Sequence, residues 1–291
     1  MASSPTVSVV IPAMNEAKNL PYVLPLIPTW VHEVILVDGH STDGTVEVAR
    51  QVLPSIRFVQ QHGRGKGSAL RTGFTAARGD IVVMLDADGS TDPGEIPAFV
   101  SALEAGADFV KGSRFLKGGG TADMPFYRKL GNWSFVAMVR LLFGGGYTDL
   151  CYGYNAFWRR VLPQLQLDGE GFEIETMMNV RALKAGLLIS EVPSFESRRI
   201  YGVSNLRTFR DGMRVLRTIF RERIQTTPTA AHGFGEELDG ARLAVIVPIA
   251  TSGRIGLHVA DAVSETEGHA LRSEAIGSES GSGHAEAAVA R

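Results

Sequence analysis

The segment VVMLDADGST, residues 82–91, ends an apolar run in two aspartates one residue apart, Asp86 and Asp88. Isolated carboxylates are costly to bury. Two of them at i and i+2 beyond a strand can converge on one hard divalent cation. Mg2+ or Mn2+ takes one or two protein carboxylates and completes its shell with phosphate oxygens and water. An acidic turn is the plainer alternative, since Asp and Gly are common turn formers; the position directly behind IVVML favours the metal. Asp38 ends another apolar run, in VILVDGHSTDGT. A carboxylate there can accept hydrogen bonds from a nucleobase or ribose, or cap the next helix, for which Asp43 is the better candidate. Lys66 lies between glycines in GRGKGSALRTG. Backbone N–H groups at a helix start favour anions and a lysine strengthens this, but the spacing is not that of a Walker A loop, and a simple basic loop is the alternative. FESRRIYGVSNL holds Arg198 and Arg199 beside a Gly-x-Ser; guanidinium groups suit bidentate phosphate recognition, against a merely solvated loop. Glu173, in GFEIETMMN, sits near a helix start, as a dipole-favoured structural carboxylate or a polar contact to substrate. Cys151 and the Met177–Met178 pair read as packing residues.

These side chains need a rigid bracket, and the first 115 residues supply its pattern. Short apolar strands are expected at 7–12, 33–38, 56–61, 80–86 and 107–114. Helices are expected between them at 17–30, at 41–53 with a capping serine or threonine, at 65–77 and at 93–106. Continuous apolar strands alternating with helices argue for a parallel sheet covered on both faces. Ligands in such sheets bind beyond the carboxyl ends of the strands, where Asp38 and Asp86 both fall. Farther on, helices are expected from about Tyr127 to Phe143, at 171–186 and at 207–224, and a strand at 187–195. In the last helix Phe209, Met213, Leu216 and Phe220 form an apolar stripe, with Arg207, Arg210, Arg214, Arg217, Arg221 and Arg223 crowding the remainder. After Gln225 the chain is rich in Ala, Gly, Ser, Thr and Glu, and residues 226–291 read as a low-complexity, disordered tail.

Composition narrows the class. The chain has 291 residues and a formal net charge of -2, with 44% hydrophobic and 21% charged residues, as in a soluble globular protein. That balance lacks the bulk basicity of a nucleic-acid binder. A single cysteine excludes a disulfide framework and fits a reducing compartment. The start carries no signal-peptide pattern. The longest apolar stretch, 243–263, is interrupted by Pro248, Arg254, His258 and Asp261, short of a membrane span.

Taken together and in order, VSVVIPAMNEAKNL, VILVDGHSTDGT, GKGSALRTG, MLDADGST and GSRF resemble the nucleotide-sugar domain of the family 2 glycosyltransferases. YTDLCYGYNAFWR and EVPSFESRRIYGVSNL resemble the branch that makes dolichyl- or polyprenyl-phosphate sugars. The resemblance covers about residues 5–225. It implies a GT-A fold: a Rossmann-like, mostly parallel sheet with helices on both faces, a nucleotide-sugar half at 5–115 and an acceptor-side half at 116–225, plus the C-terminal amphipathic helix. It implies that Pro12, Asn15 and Glu16 line the nucleotide pocket, that Asp38 reads the base, and that Lys66 lies by the donor. It further implies that Asp86 and Asp88 hold Mg2+ or Mn2+ on the donor diphosphate, and that Arg114, Arg128 and Arg199 lie near phosphates, with Ser204 beside the acceptor's. Two positions depart from the family pattern. Ser90 stands where Gln often contacts the metal, and Asn205 stands where the branch usually has Lys.

The implied reaction moves a hexose, with inversion, from a nucleotide sugar of the GDP-mannose or UDP-glucose type to a polyprenyl phosphate. The charge of the leaving diphosphate is then stabilised by a Lewis acid with Arg and Lys. A phosphate acceptor is already largely ionised, whereas a hydroxyl acceptor on a cell-wall or small-molecule glycan needs a base. Asp149 is the candidate base in that alternative, or it orients an arginine. The basic stretch 207–224 fits a surface helix approaching anionic lipid head groups, or a helix packed on the domain with a solvated basic face. The expected setting is cytoplasmic and peripheral on the membrane face, with a membrane-protein partner possible. A nucleotidyltransferase lacks its Gly-rich, arginine-bearing signature here. A non-catalytic nucleotide-sugar or lipid-binding module is the remaining alternative.

Overall fold

Burial explains the strands. In β1, Val7–Ala13, every residue except Pro12 is buried, as expected of a central strand covered on both faces. The chain continues through a short helix α1, Leu20–Val23, strand β2, Glu33–Asp38, helix α2, Thr45–Val52, strand β3, Arg57–Gln60, helix α3, Lys66–Ala76, and strand β4, Ile81–Met84. Helix α4, Ile96–Glu104, leads to β5, Phe109–Ser113. The second part holds β6, Gly120–Thr121, α5, Phe126–Phe143, β7, Asn155–Trp158, α6, Leu162–Leu165, α7, Glu173–Lys184, β8, Ile189–Pro193, β9, Phe195–Glu196, α8, Thr208–Ile224, and β10, Val247–Pro248. The computed structural model describes residues 4–122, 124–203, 207–225 and 247–248. Most of the tail at 226–291, together with Ser204 and Asn205, lies outside the described residues.

The sheet runs β10, β8, β5, β7, β4, β1, β2, β3. All neighbours are parallel except β7, which runs against both β4 and β5. Alternate side chains feed two cores. Val9, Ile11, Leu36 and Val83 join α1, α2 and α4 on one face. Val10, Ile35, Val37, Val82 and Met84 join α3, α5, α6, α7 and α8 on the other. The expected α/β sandwich is therefore present. A separate pair, β6 with β9, runs parallel beyond the main sheet.

Three local expectations are corrected. Residues 17–30 do not make one helix. Only Leu20–Val23 is α-helical, followed by a 3-10 turn at Leu24–Leu26; Pro25 and Pro28 lack the N–H that a longer helix needs. No serine or threonine caps α2: Gly44, at φ 85°, takes that place, while Asp43 accepts from the Thr45 N–H at 3.1 Å and its hydroxyl at 2.5 Å. The strand β7 had no counterpart in the sequence reading.

Helix α3 crosses β1 and β2 at Gly73, where a Cβ would lie 2.3 Å from Val10 Cγ1 and 2.8 Å from Val37 Cγ2. Close packing of this kind resists even one added carbon. Gly73→Ala is expected to cost about 1–3 kcal/mol, lowering the melting midpoint by roughly 2–4 °C per kcal/mol in a domain of this size. Calorimetry that finds an unchanged midpoint would contradict this account of the α3 contact.

Candidate active site

The chain winds from β1 outward to β2 and β3, then returns to β4 on the other side of β1. The carboxyl ends of β1, β2 and β4 meet at this reversal, the usual place for a ligand crevice in an open α/β sheet. Asn15 and Glu16 follow β1, Asp38 ends β2, and Asp86 and Asp88 follow β4. Side chains stitch the first two loops together. The Asn15 N–H donates to Ser41 Oγ at 2.9 Å and the Thr42 N–H to Asn15 Oδ1 at 2.9 Å. The Glu16 N–H donates to Thr45 Oγ1 at 2.9 Å. Asn15 holds a left-handed backbone, φ 59°, which asparagine tolerates better than most residues. Pro12 is half-buried on β1, opposite Val37.

Asp86 and Asp88 are both paired with cations. Lys66 Nζ lies 2.7 Å from Asp86 Oδ1 and 2.8 Å from Glu175 Oε1. Arg199 Nη2 lies 2.9 Å from Asp88 Oδ2, and its Nη1 lies 2.8 Å from Glu16 Oε1. Asp88 Oδ1 also accepts from the Ser90 N–H at 2.9 Å and hydroxyl at 2.6 Å. Burial opposes the charge of Lys66, but Asp86 and Glu175 outweigh it and hold the ammonium firmly protonated. Burial pushes the Asp86 carboxyl above the usual range; Lys66 pulls it down, while Asp88 and Glu175 add to the rise. Burial likewise opposes Arg199, and Asp88 and Glu16 together raise it.

Two further residues shape this cluster and were missed in the sequence. Glu175 is one: Glu173, nominated in its stead, accepts from the N–H groups of Glu170 and Gly171 at 3.2 and 2.9 Å and so closes its own helix start. Gly153 is the other. A Cβ there would lie 2.7 Å from Glu175 Oε1, 2.9 Å from Lys66 Nζ and 3.1 Å from Asp86 Oδ2. The GYN run just before β7 could have signalled a close backbone approach.

The glycines around Lys66 have a different use from the one expected. The Gly67 N–H donates to the Glu170 carbonyl at 2.9 Å and the Ser68 N–H to the same oxygen at 3.4 Å. A Cβ on Gly65 or Gly67 would meet backbone at 2.3 or 2.4 Å. The glycines admit the 169–171 loop, and a carbonyl takes the donors that an anion would need. Asp38 is turned into its own loop, accepting from the N–H groups of His40 at 3.1 Å and Ser41 at 3.2 Å.

Asp149 takes the second of its two expected places, on an arginine. Asp149 is 0% exposed. Its two oxygens bind Arg114 Nε and Nη2 at 2.7 and 2.9 Å. Burial raises the Asp149 carboxyl, but Arg114 overcomes this and holds it below the ordinary value. A buried carboxylate committed at both oxygens orients its arginine. Arg114 in turn spends Nη1 on Glu196 at 3.0 Å and is buried. Arg128 is half-buried in the first turn of α5, and no described residue ties it to the carboxylates. Arg198 reaches the Ala122 carbonyl at 3.3 Å.

The segment around Arg199 lies as a strap over the turn behind β4. The Ser197 N–H donates to the Ser90 carbonyl at 2.9 Å and the Ile200 N–H to the Asp88 carbonyl at 3.1 Å. Asn19 holds its far end, accepting from the Tyr201 N–H at 2.9 Å. Away from this edge, a hollow of about 500 Å³ lies among Leu24, Pro28, His32, Leu53 and Arg57. Its carboxylate, Glu33, is committed to Ser8 and Arg57 at 2.6 Å each.

A mostly parallel sheet with paired carboxylates at its reversal point fits the GT-A architecture of glycosyltransferases. The model of glycosyl transferase family 2 matches residues 8–165. The polyprenol monophosphomannose synthase of Mycolicibacterium smegmatis is 32% identical over 212 residues, covering 68% of this chain and 80% of that protein. The undecaprenyl-phosphate mannosyltransferase of Micrococcus luteus is 34% identical over 211 residues, covering 68% and 86%. The glucosyl-3-phosphoglycerate synthase of M. tuberculosis shares the fold, with TM-score 0.60 and 24% identity over 80% of this chain and 84% of that one. The chain belongs to glycosyl transferase family 2.

Two changes test the geometry. Gly153→Ala is expected to reduce transfer at least tenfold with little change in far-UV circular dichroism, since its methyl group collides with the cluster; activity near that of the parent would contradict the close approach. Asp149→Asn strands Arg114 in a buried site and is expected to cost roughly 3–5 kcal/mol, read as a fall in melting midpoint. An undiminished midpoint would return Asp149 to the pool of candidate bases.

Proposed function

We propose that this chain transfers a hexose from a nucleoside-diphosphate sugar to a polyprenyl phosphate, with inversion, at a membrane surface. The observation that carries the donor half is the cluster of Asp86 and Asp88 with Lys66 and Arg199. Among the described residues no group of three or more His, Cys, Asp or Glu is arranged to hold a metal by itself. Asp86 and Asp88 nevertheless fit Mg2+ or Mn2+. They are hard oxygen donors, and such ions use one or two protein carboxylates and draw the rest of their shell from phosphate and water. Four carboxylates in the cluster, those of Glu16, Asp86, Asp88 and Glu175, face the two cations, so two negative charges remain to be met. A divalent cation held by Asp86 and Asp88 would supply Lewis-acid stabilisation of the departing diphosphate. Lys66 and Arg199 place further positive charge along the same edge. In this reading the nucleoside lies beside Pro12, Asn15 and Asp38, at the ends of β1 and β2.

The acceptor half rests on different observations. The carboxylate that the sequence offered as a base is buried and bound to Arg114. A phosphate monoester needs no base, its second pKa being about 6. The two relatives compared above carry a polyprenol or an undecaprenyl phosphate in their names, which makes a lipid phosphate acceptor and a mannosyl donor the first to test.

The outer surface suits a lipid acceptor. Helix α8 packs inward through Asp211, Val215, Thr218, Ile219 and Glu222. Its apolar stripe therefore faces outward, with Phe209 91% exposed and Ile224 82% exposed, and only Leu216 of the expected four is half-buried. Helix α5, packed alongside, turns Phe126, Leu130, Trp133 and Leu141 outward. Arginines flank the stripe of α8, and the two acids on that helix are buried. Apolar side chains amid basic ones fit the interface of an anionic membrane. Among the described residues no helix is long and apolar enough to cross one.

Incubation with labelled GDP-mannose or UDP-glucose, Mn2+ and either polyprenyl phosphate or a sugar hydroxyl tests the reading. The expected product is the lipid phosphate sugar, with chelator and Asp88→Ala each lowering its rate at least a hundredfold. A product formed only on the hydroxyl would favour the glycan alternative. Sedimentation with vesicles is expected to recover the chain with anionic but not neutral lipid, and Phe209→Glu with Phe220→Glu to weaken that recovery several-fold. Equal recovery on both lipids would remove the surface role of α8.

A further inference from the structure

Each cation in the cluster spans two carboxylates, one behind β4 and one from another element. Lys66 joins Asp86 to Glu175 of α7, and Arg199 joins Asp88 to Glu16 behind β1. The nitrogens thus sit on the same oxygens that a divalent cation would take. The second partners are firmly held. Glu175 lies in the buried part of α7. Glu16 is fixed by its own N–H on Thr45 Oγ1 at 2.9 Å and by Asn19 Nδ2 on its Oε2 at 2.5 Å. Glu16 also accepts Arg199 Nη1 on both oxygens, at 2.8 and 3.1 Å.

This duplication has a physical use. Two adjacent carboxylates in a poorly hydrated site cannot stand without positive charge nearby. A metal that arrives with a donor meets aspartates already paired, so the resident cations must yield. A cation with one partner would then be released into solvent and lose its orientation. With a second, rigid carboxylate it stays within reach of the donor's phosphates.

We infer that Lys66 and Arg199 are resident counter-ions that surrender Asp86 and Asp88 to a divalent cation, and that Glu175 and Glu16 are positioning residues that retain them at the donor's diphosphate. This rests on the metal-dependent reading above and adds to it a role for two glutamates. It also explains the departure at Ser90. The Ser90 N–H and hydroxyl both hold Asp88 Oδ1, so Oδ2, the oxygen on Arg199, is the one to be exchanged.

Mn2+ binding by the full chain, followed by the electron paramagnetic resonance signal of the free ion, tests the exchange without turnover. In the absence of nucleotide, Lys66→Met and Arg199→Met are each expected to bind Mn2+ about fivefold more tightly, the order of one half-buried ion pair removed from competition. Glu175→Gln and Glu16→Gln are expected to bind it more weakly, since their cations turn wholly to the aspartates. With GDP or UDP present, the two Met variants are expected to lose nucleotide affinity instead. Circular dichroism checks that each variant is folded; Arg199, on the outer strap, carries the test if the more buried Lys66 does not tolerate change. Met variants that bind Mn2+ no better than the parent overturn the exchange while leaving metal dependence intact. A parent chain that binds no Mn2+ with or without nucleotide overturns the metal reading and the exchange with it.

Discussion

Mutual repulsion among carboxylates is the constraint on which the working edge depends. The sheet delivers Asp86 and Asp88 to the reversal point, and α7 and the loop behind β1 add Glu175 and Glu16. Such a gathering is stable only with cations set among its members. Lys66 meets that need from the start of α3 and Arg199 from the strap. Gly153 follows from the same need, because any side chain there would occupy the space where Lys66 meets Asp86 and Glu175. The tight turn of the strap over Gly89, where a Cβ would lie 2.5 Å from Ile200 Cδ1, brings the second cation down from the acceptor side.

Behind this edge lies a second charged layer, buried and paired within the chain. Lys111, fully buried on β5, donates to the Tyr152 carbonyl, and burial lowers its pKa. Glu191 on β8 accepts from the Thr148 N–H and hydroxyl at 2.9 and 2.7 Å, and burial raises its carboxyl. Arg114 joins Asp149 to Glu196. These groups fix the 148–153 segment from below. Its approach to Lys66 is thus set by polar bonds together with the buried side chains of Leu150 and Tyr152.

Much of the architecture could be read from the chain. Continuous apolar runs identified β1, β2 and β4, the last two ending in aspartate at a shared edge, because a strand buried on both faces leaves an unmistakable pattern. The stretch 155–158 gave no such signal. It is short, its asparagine is buried, and only its partners on either side make it a strand. The cluster was legible in part. Asp86, Asp88, Lys66 and Arg199 stood out by type and spacing. Glu175 did not, since Glu173 shares its helix start and only the turn of α7 decides which of them faces Lys66. Asp149 and Arg114 were legible as charged residues, but their mutual bond is a matter of tertiary distance. The stripe on α8 was seen correctly as a stripe. Its direction was left between two readings, because the buried face includes Asp211, Thr218 and Glu222 beside Val215 and Ile219, and Glu222 takes its partners Arg181 and Lys184 from α7.

The reversed strand β7 carries a consequence for how this molecule could have arisen and how it can be recombined. It is threaded between β4 and β5, so a strand from the later part of the chain completes the sheet of the earlier part. Neither portion is a free-standing module. A graft that exchanged the acceptor-side region between relatives would have to carry a matching β7, with its antiparallel ladders on both flanks, or leave a gap in the middle of the host's sheet. New acceptor preferences are therefore more readily reached by altering loops and outer helices than by shuffling halves.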